Sequence, residues 1–272
     1  MKQIIKLFFF LFLSLLCYGQ EIRIINSIDD KPIPYGKIYL ENRLLISDSL
    51  GKYFFDQRPV GFIIRANGYE DKSIVSLNSN IIKLKPIFNN IERVELGENN
   101  FNVSDLLGYK KGKNTIIIDS NKEFAIKIIN PFNLCQLEDV KIPFKKSLQK
   151  KGYLILDIYE EKNNRIGDKL NSNNYVISLD NLKNGNSVKI NEKIIIEGSF
   201  YVSVIWVENL YTKSNMFTNK VYLNVKDKSS SGKMFVRKST YNSWDIKPFE
   251  EDSSSKNSII PAFSVSVKCK KE

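Results

Sequence analysis

The sequence predicts an all-β protein made of two β-sandwich domains, a small one followed by a larger one. Three observations carry that expectation. Apolar residues recur with period two in short runs, turn residues separate those runs at close spacing, and no amphipathic helix longer than about two turns can be drawn through the chain. A length of 272 residues with 42% hydrophobic side chains suffices for two modest cores.

Residues 1–19 are read as a segment removed before folding. Lys2 and Lys6 precede the apolar run Leu7 to Leu16, and Cys17-Tyr18-Gly19 ends in small residues where a signal peptidase reads, so cleavage after Gly19 is expected. A lipid anchor on Cys17 is the rival, and Leu16 argues against it because the lipoprotein peptidase wants a small residue there. The run is shorter than the roughly 20 apolar residues that cross a bilayer. No later segment approaches that length, so no transmembrane segment is expected after cleavage. The chain is therefore expected to be exported, to the periplasm, the outer membrane or the exterior.

The first domain is placed at residues 20–86. Ile22 and Ile24, Ile38 and Leu40, Tyr53 and Phe55, Phe62 and Ile64, then Ile82 and Leu84 each put apolar side chains on one face of a strand. Asp29-Asp30-Lys31-Pro32, Ser49-Leu50-Gly51-Lys52 and Ala66-Asn67-Gly68-Tyr69 supply turns between them, as in an antiparallel sandwich. Residues 87–112 read as a linker, with Asn89-Asn90, Asn99-Asn100 and the stretch Gly108 to Lys113 as polar punctuation.

The second domain is placed at residues 113–272. Strands are expected at Thr115 to Ile118, Phe124 to Ile129, Gly152 to Tyr159, Tyr175 to Leu179, Ile194 to Val207, Val221 to Val225, Met234 to Val236 and Phe263 to Val267. Asn163-Asn164, Asn184-Gly185 and Ser230-Ser231-Gly232 mark turns. The stretch Ile194 to Val207 is long for one strand and contains Gly198, which predicts a bend or bulge. Glu250 to Asn257 reads as an exposed loop.

The first domain carries a family likeness. Asp29-Asp30-Lys31-Pro32-Ile33-Pro34-Tyr35-Gly36-Lys37-Ile38-Tyr39-Leu40, then Ser47-Asp48-Ser49-Leu50-Gly51-Lys52-Tyr53-Phe54-Phe55, then Ala66-Asn67-Gly68-Tyr69, resembles the carboxypeptidase regulatory-like domain, a module abundant in secreted and outer-membrane proteins of Bacteroidetes. The resemblance covers about residues 21–86 and implies a transthyretin- or prealbumin-like sandwich of about seven strands with no catalytic residues of its own. The family's Gly-Thr hairpin is replaced here by Glu41-Asn42-Arg43-Leu44. Asp29, Asp30 and Asp48 are expected to accept backbone N–H bonds in their turns. In the second domain, Gly152 to Glu160 with Asn164 to Leu170, and Gly232 to Arg237 leading into Asn242-Ser243-Trp244, are faintly similar to jelly-roll modules of secreted proteins.

The chain contains no histidine, which excludes Ser-His-Asp and Cys-His catalysis, histidine metal sites and histidine pH switches. The whole chain carries 41 basic and 30 acidic residues, a net charge of +11. Such a surplus suits polyanions. The pairs Lys110-Lys111, Lys145-Lys146, Lys150-Lys151 and Lys270-Lys271 are dispersed along the sequence without interleaved aromatics, so no nucleic-acid partner is expected and the charge reads as solvated.

Trp206 lies in an apolar run and reads as core, whereas Trp244, with Tyr241 beside it, is the candidate ligand contact for a stacked sugar. Once Cys17 is removed, Cys135 and Cys269 either pair in an oxidising compartment or stay as two buried thiols; pairing is the expectation. Asp180 to Gly185 has glycine at its sixth position, yet Leu182 occupies a ligand position and Glu192 falls one place late, so a plain Asn-Gly hairpin is preferred to a calcium loop.

Ser253-Ser254-Ser255-Lys256 sits in a polar loop that cannot preorganise a nucleophile. The neighbours Glu160 and Glu161 point to opposite faces of a strand, and Glu250 with Glu251 offers no better geometry for glycoside hydrolysis. No catalytic residue, metal or cofactor is therefore assigned. The expected function is a non-enzymatic structural or protein-interaction role at the envelope, with an envelope protein or glycan as partner. A glycan-binding accessory module is the alternative, ahead of a cryptic glycosidase.

Overall fold

The computed structural model describes residues 20–40, 43–56, 59–87, 101–118, 122–147, 152–179, 187–208, 221–226, 234–238, 247–248 and 260–270. The fold is all-β and of the sandwich class, and the chain divides into two compact units at residues 88 and 89.

In the first unit, β1 (Gln20–Asn26), β2 (Lys37–Leu40), β3 (Arg43–Ile46), β4 (Lys52–Phe55), β5 (Val60–Arg65), β6 (Lys72–Ser76) and β7 (Ile81–Leu84) form two sheets. Their orders are β4-β1-β7 and β3-β2-β5-β6. The alternating positions read from the sequence, Ile22, Ile24, Ile38, Tyr53, Phe55, Phe62, Ile64, Ile82 and Leu84, meet in one core with Ile33, Leu45 and Leu77. One pairing departs from the antiparallel expectation, since β1 and β7 run parallel. They are the first and last strands of the unit, and the whole intervening chain serves as the crossover that parallel neighbours require.

The turns behave largely as their residues dictate. Asp48 accepts from the backbone N–H of both Leu50 and Lys52 at 2.8 Å, and Asp29 accepts from that of Lys31 at 3.2 Å. Asp30 differs, because its carboxylate meets Lys83 Nζ at 2.6 Å. Gly51 has φ 71°, and a Cβ there would stand 2.5 Å from the Ile24 carbonyl oxygen, so this turn admits only glycine without strain.

In the second unit, a seven-stranded sheet is built on β10 (Lys122–Ile128), β13 (Gly152–Lys162), β14 (Arg165–Lys169), β15 (Tyr175–Ser178), β18 (Phe200–Glu208), β20 (Met234–Lys238) and β21 (Lys247–Pro248), in the order β14-β13-β18-β10-β20-β21 with β15 also on β13. A five-stranded sheet has the order β16-β11-β22-β8, with β17 also on β11. It comprises β8 (Phe101–Gly108), β11 (Cys135–Lys141), β16 (Ser187–Lys189), β17 (Ile195–Ile196) and β22 (Ser264–Lys270). A three-stranded sheet, β12-β19-β9, joins β12 (Phe144–Ser147), β19 (Val221–Lys226) and β9 (Lys111–Ile118).

The inward residues of all three sheets share one core, including Ile126, Leu156, Val204 and Trp206 from the first, Leu137, Val265 and Val267 from the second, and Ile118, Phe144 and Leu223 from the third. Two sequence expectations change here. The stretch 87–112 is not all linker, because β8 lies within it and pairs along β22. Only Leu107 of that strand is buried, as befits the edge position, and the alternation of Phe101, Val103 and Leu107 is interrupted by Asp105 and blurred by the exposed Leu106. The long run from Ile194 to Val207 is two strands in two sheets, β17 and β18, parted around Gly198.

Candidate functional site

The seven-stranded sheet buries its outward face as well as its inward one, and polar chemistry concentrates there. Strand alternation sends Leu154, Leu156 and Ile158 of β13 to the core and Asp157 and Tyr159 to the other side; likewise Val202 and Val204 of β18 face inward while Tyr201 and Ser203 face outward. Glu123 of β10 and Arg237 of β20 share that outward face. Glu123 is 1% exposed and Asp157 2%, so each carboxylate needs compensation.

Compensation is complete for both. Glu123 accepts from the Tyr159 hydroxyl at 3.0 Å and from Ser203 Oγ at 2.7 Å, and its second oxygen meets Arg237 Nε at 2.5 Å. Arg237 Nη2 also donates to the Tyr159 oxygen at 3.2 Å, and its guanidinium lies 5.9 Å from the Tyr159 ring centroid. Asp157 pairs with Lys169 Nζ at 2.5 Å and accepts from Asn171 Nδ2 at 3.3 Å. Asn171 fills the place between β14 and β15 on the edge of β13, where its Oδ1 accepts from the Ile158 N–H at 2.7 Å. Lys127 and Glu161 form a further pair.

Burial pushes the Tyr159 phenol well above its ordinary value, and the charges of Glu123 and Asp157 add to the effect. Tyr201 is pushed up to about 12, chiefly by burial and secondly by Glu161. Both phenols therefore stay protonated at neutral pH. Glu123, buried and held by an arginine, a phenol and a serine, presents no oxygen at the surface, so this cluster works as an internal clamp across β10, β13, β18 and β20.

A second carboxylate, Glu192, holds the segment before β15. It accepts from the Ser172 backbone N–H at 2.9 Å, the Ser172 hydroxyl, the Asn173 N–H at 3.1 Å and the Tyr175 hydroxyl at 3.0 Å. Burial opposes its ionisation, and the hydrogen bonds from Ser172, Asn173 and Tyr175 outweigh that, leaving the carboxyl below its ordinary value. Among the described residues no group of three or more cysteine, aspartate and glutamate side chains is arranged to hold a metal. No helix among them is long and apolar enough to cross a membrane.

The residues singled out in the sequence are placed as follows. Cys135 and Cys269 form a disulfide, directly opposite each other on β11 and β22 with Cα atoms 4.0 Å apart. Trp206 is in the core at 1% exposure. Glu160 accepts from the Asp168 N–H at 3.3 Å, away from the Lys127 partner of Glu161. Trp244, Tyr241, the 180–185 turn, Ser253 to Lys256, Glu250 with Glu251 and residues 1–19 lie outside the described residues. The clamp around Glu123 escaped the sequence reading, although Asp157 inside the apolar run Leu154 to Tyr159 was a visible sign that one face carried polar chemistry.

No family model and no curated protein matches the chain. Among solved structures, it is similar to the cysteine protease and lectin-like domains of Cwp84, a surface layer associated protein of Clostridium difficile, with 12% identity and a TM-score of 0.37 over 92% of this chain and 50% of that one. It also matches the structure of infectious bursal disease virus Gt strain, with 9% identity and a TM-score of 0.23 over 92% of this chain and 59% of that one. The chain thus spans about half the length of the first and under two thirds of the second.

Proposed function

We propose that this chain is an exported, non-catalytic protein of the cell envelope with a structural or partner-binding role, its first unit a carboxypeptidase regulatory-like module and its second a jelly-roll-like sandwich. The observation that carries the reading is the Cys135–Cys269 disulfide, buried between β11 and β22. Structural disulfides persist in oxidising compartments and are rare where thioredoxin and glutathione keep thiols reduced. The Lys2 to Gly19 segment supports the same route. A non-catalytic role is supported by the chemistry of the buried acids, since Glu123 and Asp157 are each matched to a cation and to hydrogen-bond donors.

The test is to express the whole chain in a bacterium, fractionate the cells and measure the intact mass before and after reduction and alkylation. A periplasmic or secreted chain beginning at Gln20, with no alkylatable thiol until reduced, is expected. A cytoplasmic chain that retains residues 1–19, with alkylatable Cys135 and Cys269 when freshly isolated, overturns the export reading. Turnover of a polysaccharide or peptide by the purified protein, abolished by Glu123→Gln or Asp157→Asn in a variant that still folds, overturns the non-catalytic one.

A further inference from the structure

We propose that Lys169 of β14 and Asp157 of β13 condense into an intramolecular isopeptide bond, an amide between Nζ and Cγ that ties the edge strand of the seven-stranded sheet to its neighbour. The inference goes beyond the reading above and does not depend on it, because the reaction consumes no oxidant and occurs once within each folded chain.

The need for such a tie comes from β14 itself. It stands at the end of the sheet order and, among the described residues, pairs with β13 alone, through a register shift between Tyr159 and Glu161. None of its 5 residues is fully buried, so burial of apolar surface contributes little to holding it. The register sets Lys169 opposite Tyr159, which puts its side chain on the outward face, one alternation from Asp157 and within reach of it.

Burial separates this pair from the other lysine–acid pairs among the described residues. The Asp157 side chain is 3% exposed, whereas the acids of the others keep 16% or more. The geometry suits attack as well. Lys169 Nζ lies 2.5 Å from Asp157 Oδ1. With a C–O bond of about 1.2 Å, Cγ is less than about 4 Å from that nitrogen, next to the roughly 3–3.5 Å of a near-attack pair. Asn171, itself buried, donates from Nδ2 to the same Oδ1 at 3.3 Å, and its own Oδ1 is fixed by the Ile158 N–H at 2.7 Å. A donor placed there stabilises the negative charge that builds on Oδ1 as nitrogen adds to Cγ.

The step balances without a co-reactant. The ammonium of Lys169 passes one proton to the carboxylate, which cancels two charges held out of water. The neutral amine then adds to Cγ through its lone pair and forms the Nζ–Cγ bond. Nitrogen gives up a second proton to the Oδ2 hydroxyl, the Cγ–Oδ2 bond breaks with its electron pair on oxygen, and one water leaves. The product is a neutral amide whose Oδ1 still accepts from Asn171, in place of a buried ion pair.

The experiment weighs the purified, folded full chain by intact mass spectrometry and then digests it with trypsin after denaturation. The expected mass is lower by one water than the sequence, the observed N-terminus and the disulfide require. The digest should contain a branched peptide that joins residues 152–162 to residues 166–183 with no cut after Lys169, and tandem spectra should place the bond at Asp157. Lys169→Arg keeps the cation but replaces the amine by a guanidinium that stays protonated, so it should restore both the missing water and the cut. If that variant does not fold, the branched peptide of the parent decides by itself. A parent of full mass cut after Lys169, a loss of water that persists in Lys169→Arg, or a loss of ammonia mapped to Asn171 overturns the proposal. These outcomes are read within residues 152–183, apart from the N-terminus and the cysteines that decide the export reading.

Discussion

Glu123 shows how a single residue can bind a sheet together from its outer side. Its carboxylate is 1% exposed and joins Arg237 on β20, Tyr159 on β13 and Ser203 on β18. Removing one partner of a buried ion pair leaves the other charge uncompensated, so Glu123→Gln should cost about 3 kcal/mol in urea unfolding. That is the low end of the usual range, because Arg237 keeps some contact with water. Changing Glu123 and Arg237 together to methionine should cost less than Glu123→Gln alone, since replacing both partners of such a pair by apolar groups of similar volume is often nearly neutral.

The same network and its neighbour Glu192 predict how stability varies with pH. Tyr159 is raised above 10.0 when folded, so its contribution is complete below that pH and is lost as pH rises toward the folded value. Tyr159→Phe should therefore flatten the alkaline limb of a plot of unfolding free energy against pH, with Tyr201 accounting for part of what remains. Glu192 is lowered below 4.5, so its contribution is present above that pH and is lost as pH falls through the folded value. Glu192→Gln should flatten the acid limb. A limb of unchanged slope in either variant contradicts the corresponding assignment.

Trp206 adds a different kind of residue-scale test. Its side chain is buried, and its indole N–H finds no acceptor among the described residues. Trp206→Ala should cost about 3–5 kcal/mol by leaving a cavity. Trp206→Phe should cost clearly less, because it also removes an unsatisfied buried donor that is worth about 1–3 kcal/mol. Equal losses in the two variants would show that the N–H is satisfied.

At the scale of elements, legibility in the sequence followed burial geometry. Strands with one face in a core, such as β1 and β4, announced themselves by alternation, and β18, buried on both faces, by a nearly continuous apolar run. The edge strand β6 exposes most of both faces, β8 has Asp105 in the middle of its apolar face, and β11 carries a register shift between Leu137 and Asp139 that breaks the period between Leu137 and Val140, so these three gave little signal.

The Glu123 clamp was hidden for another reason, since Arg237 lies 114 residues beyond Glu123 and local spacing holds no record of so distant a pairing. Gly108 is the element-scale position most exposed to test. It ends β8 with φ 100°, just before the chain passes to a different sheet as β9, and a Cβ there would stand 2.4 Å from the Phe263 carbonyl oxygen. Gly108→Ala should destabilise the second unit by more than 1 kcal/mol, roughly the scale of backbone strain at a special φ. A fully retained midpoint in urea would remove Gly108 from the list of required glycines.

For the whole molecule, the disulfide separates the two units energetically. Cys135 and Cys269 are 134 residues apart and both belong to the second unit, so the bond closes a loop that includes most of that unit and none of the first. In the chain-entropy account, closing a loop of that length removes freedom from the unfolded chain worth about 5 kcal/mol. The buried strands β11 and β22 that it joins each also pair with a second neighbour, so the folded sheet persists without the bond while the unfolded state gains freedom. Calorimetry of the full chain should therefore show two transitions, of which reduction, or the double change Cys135→Ala with Cys269→Ala, lowers only the larger one. The first unit should keep its midpoint, because its core contains no cysteine. A reduced protein in which both transitions shift together would mean that the units unfold as one cooperative body, and one in which neither shifts would mean that the unfolded chain is not constrained by the bond.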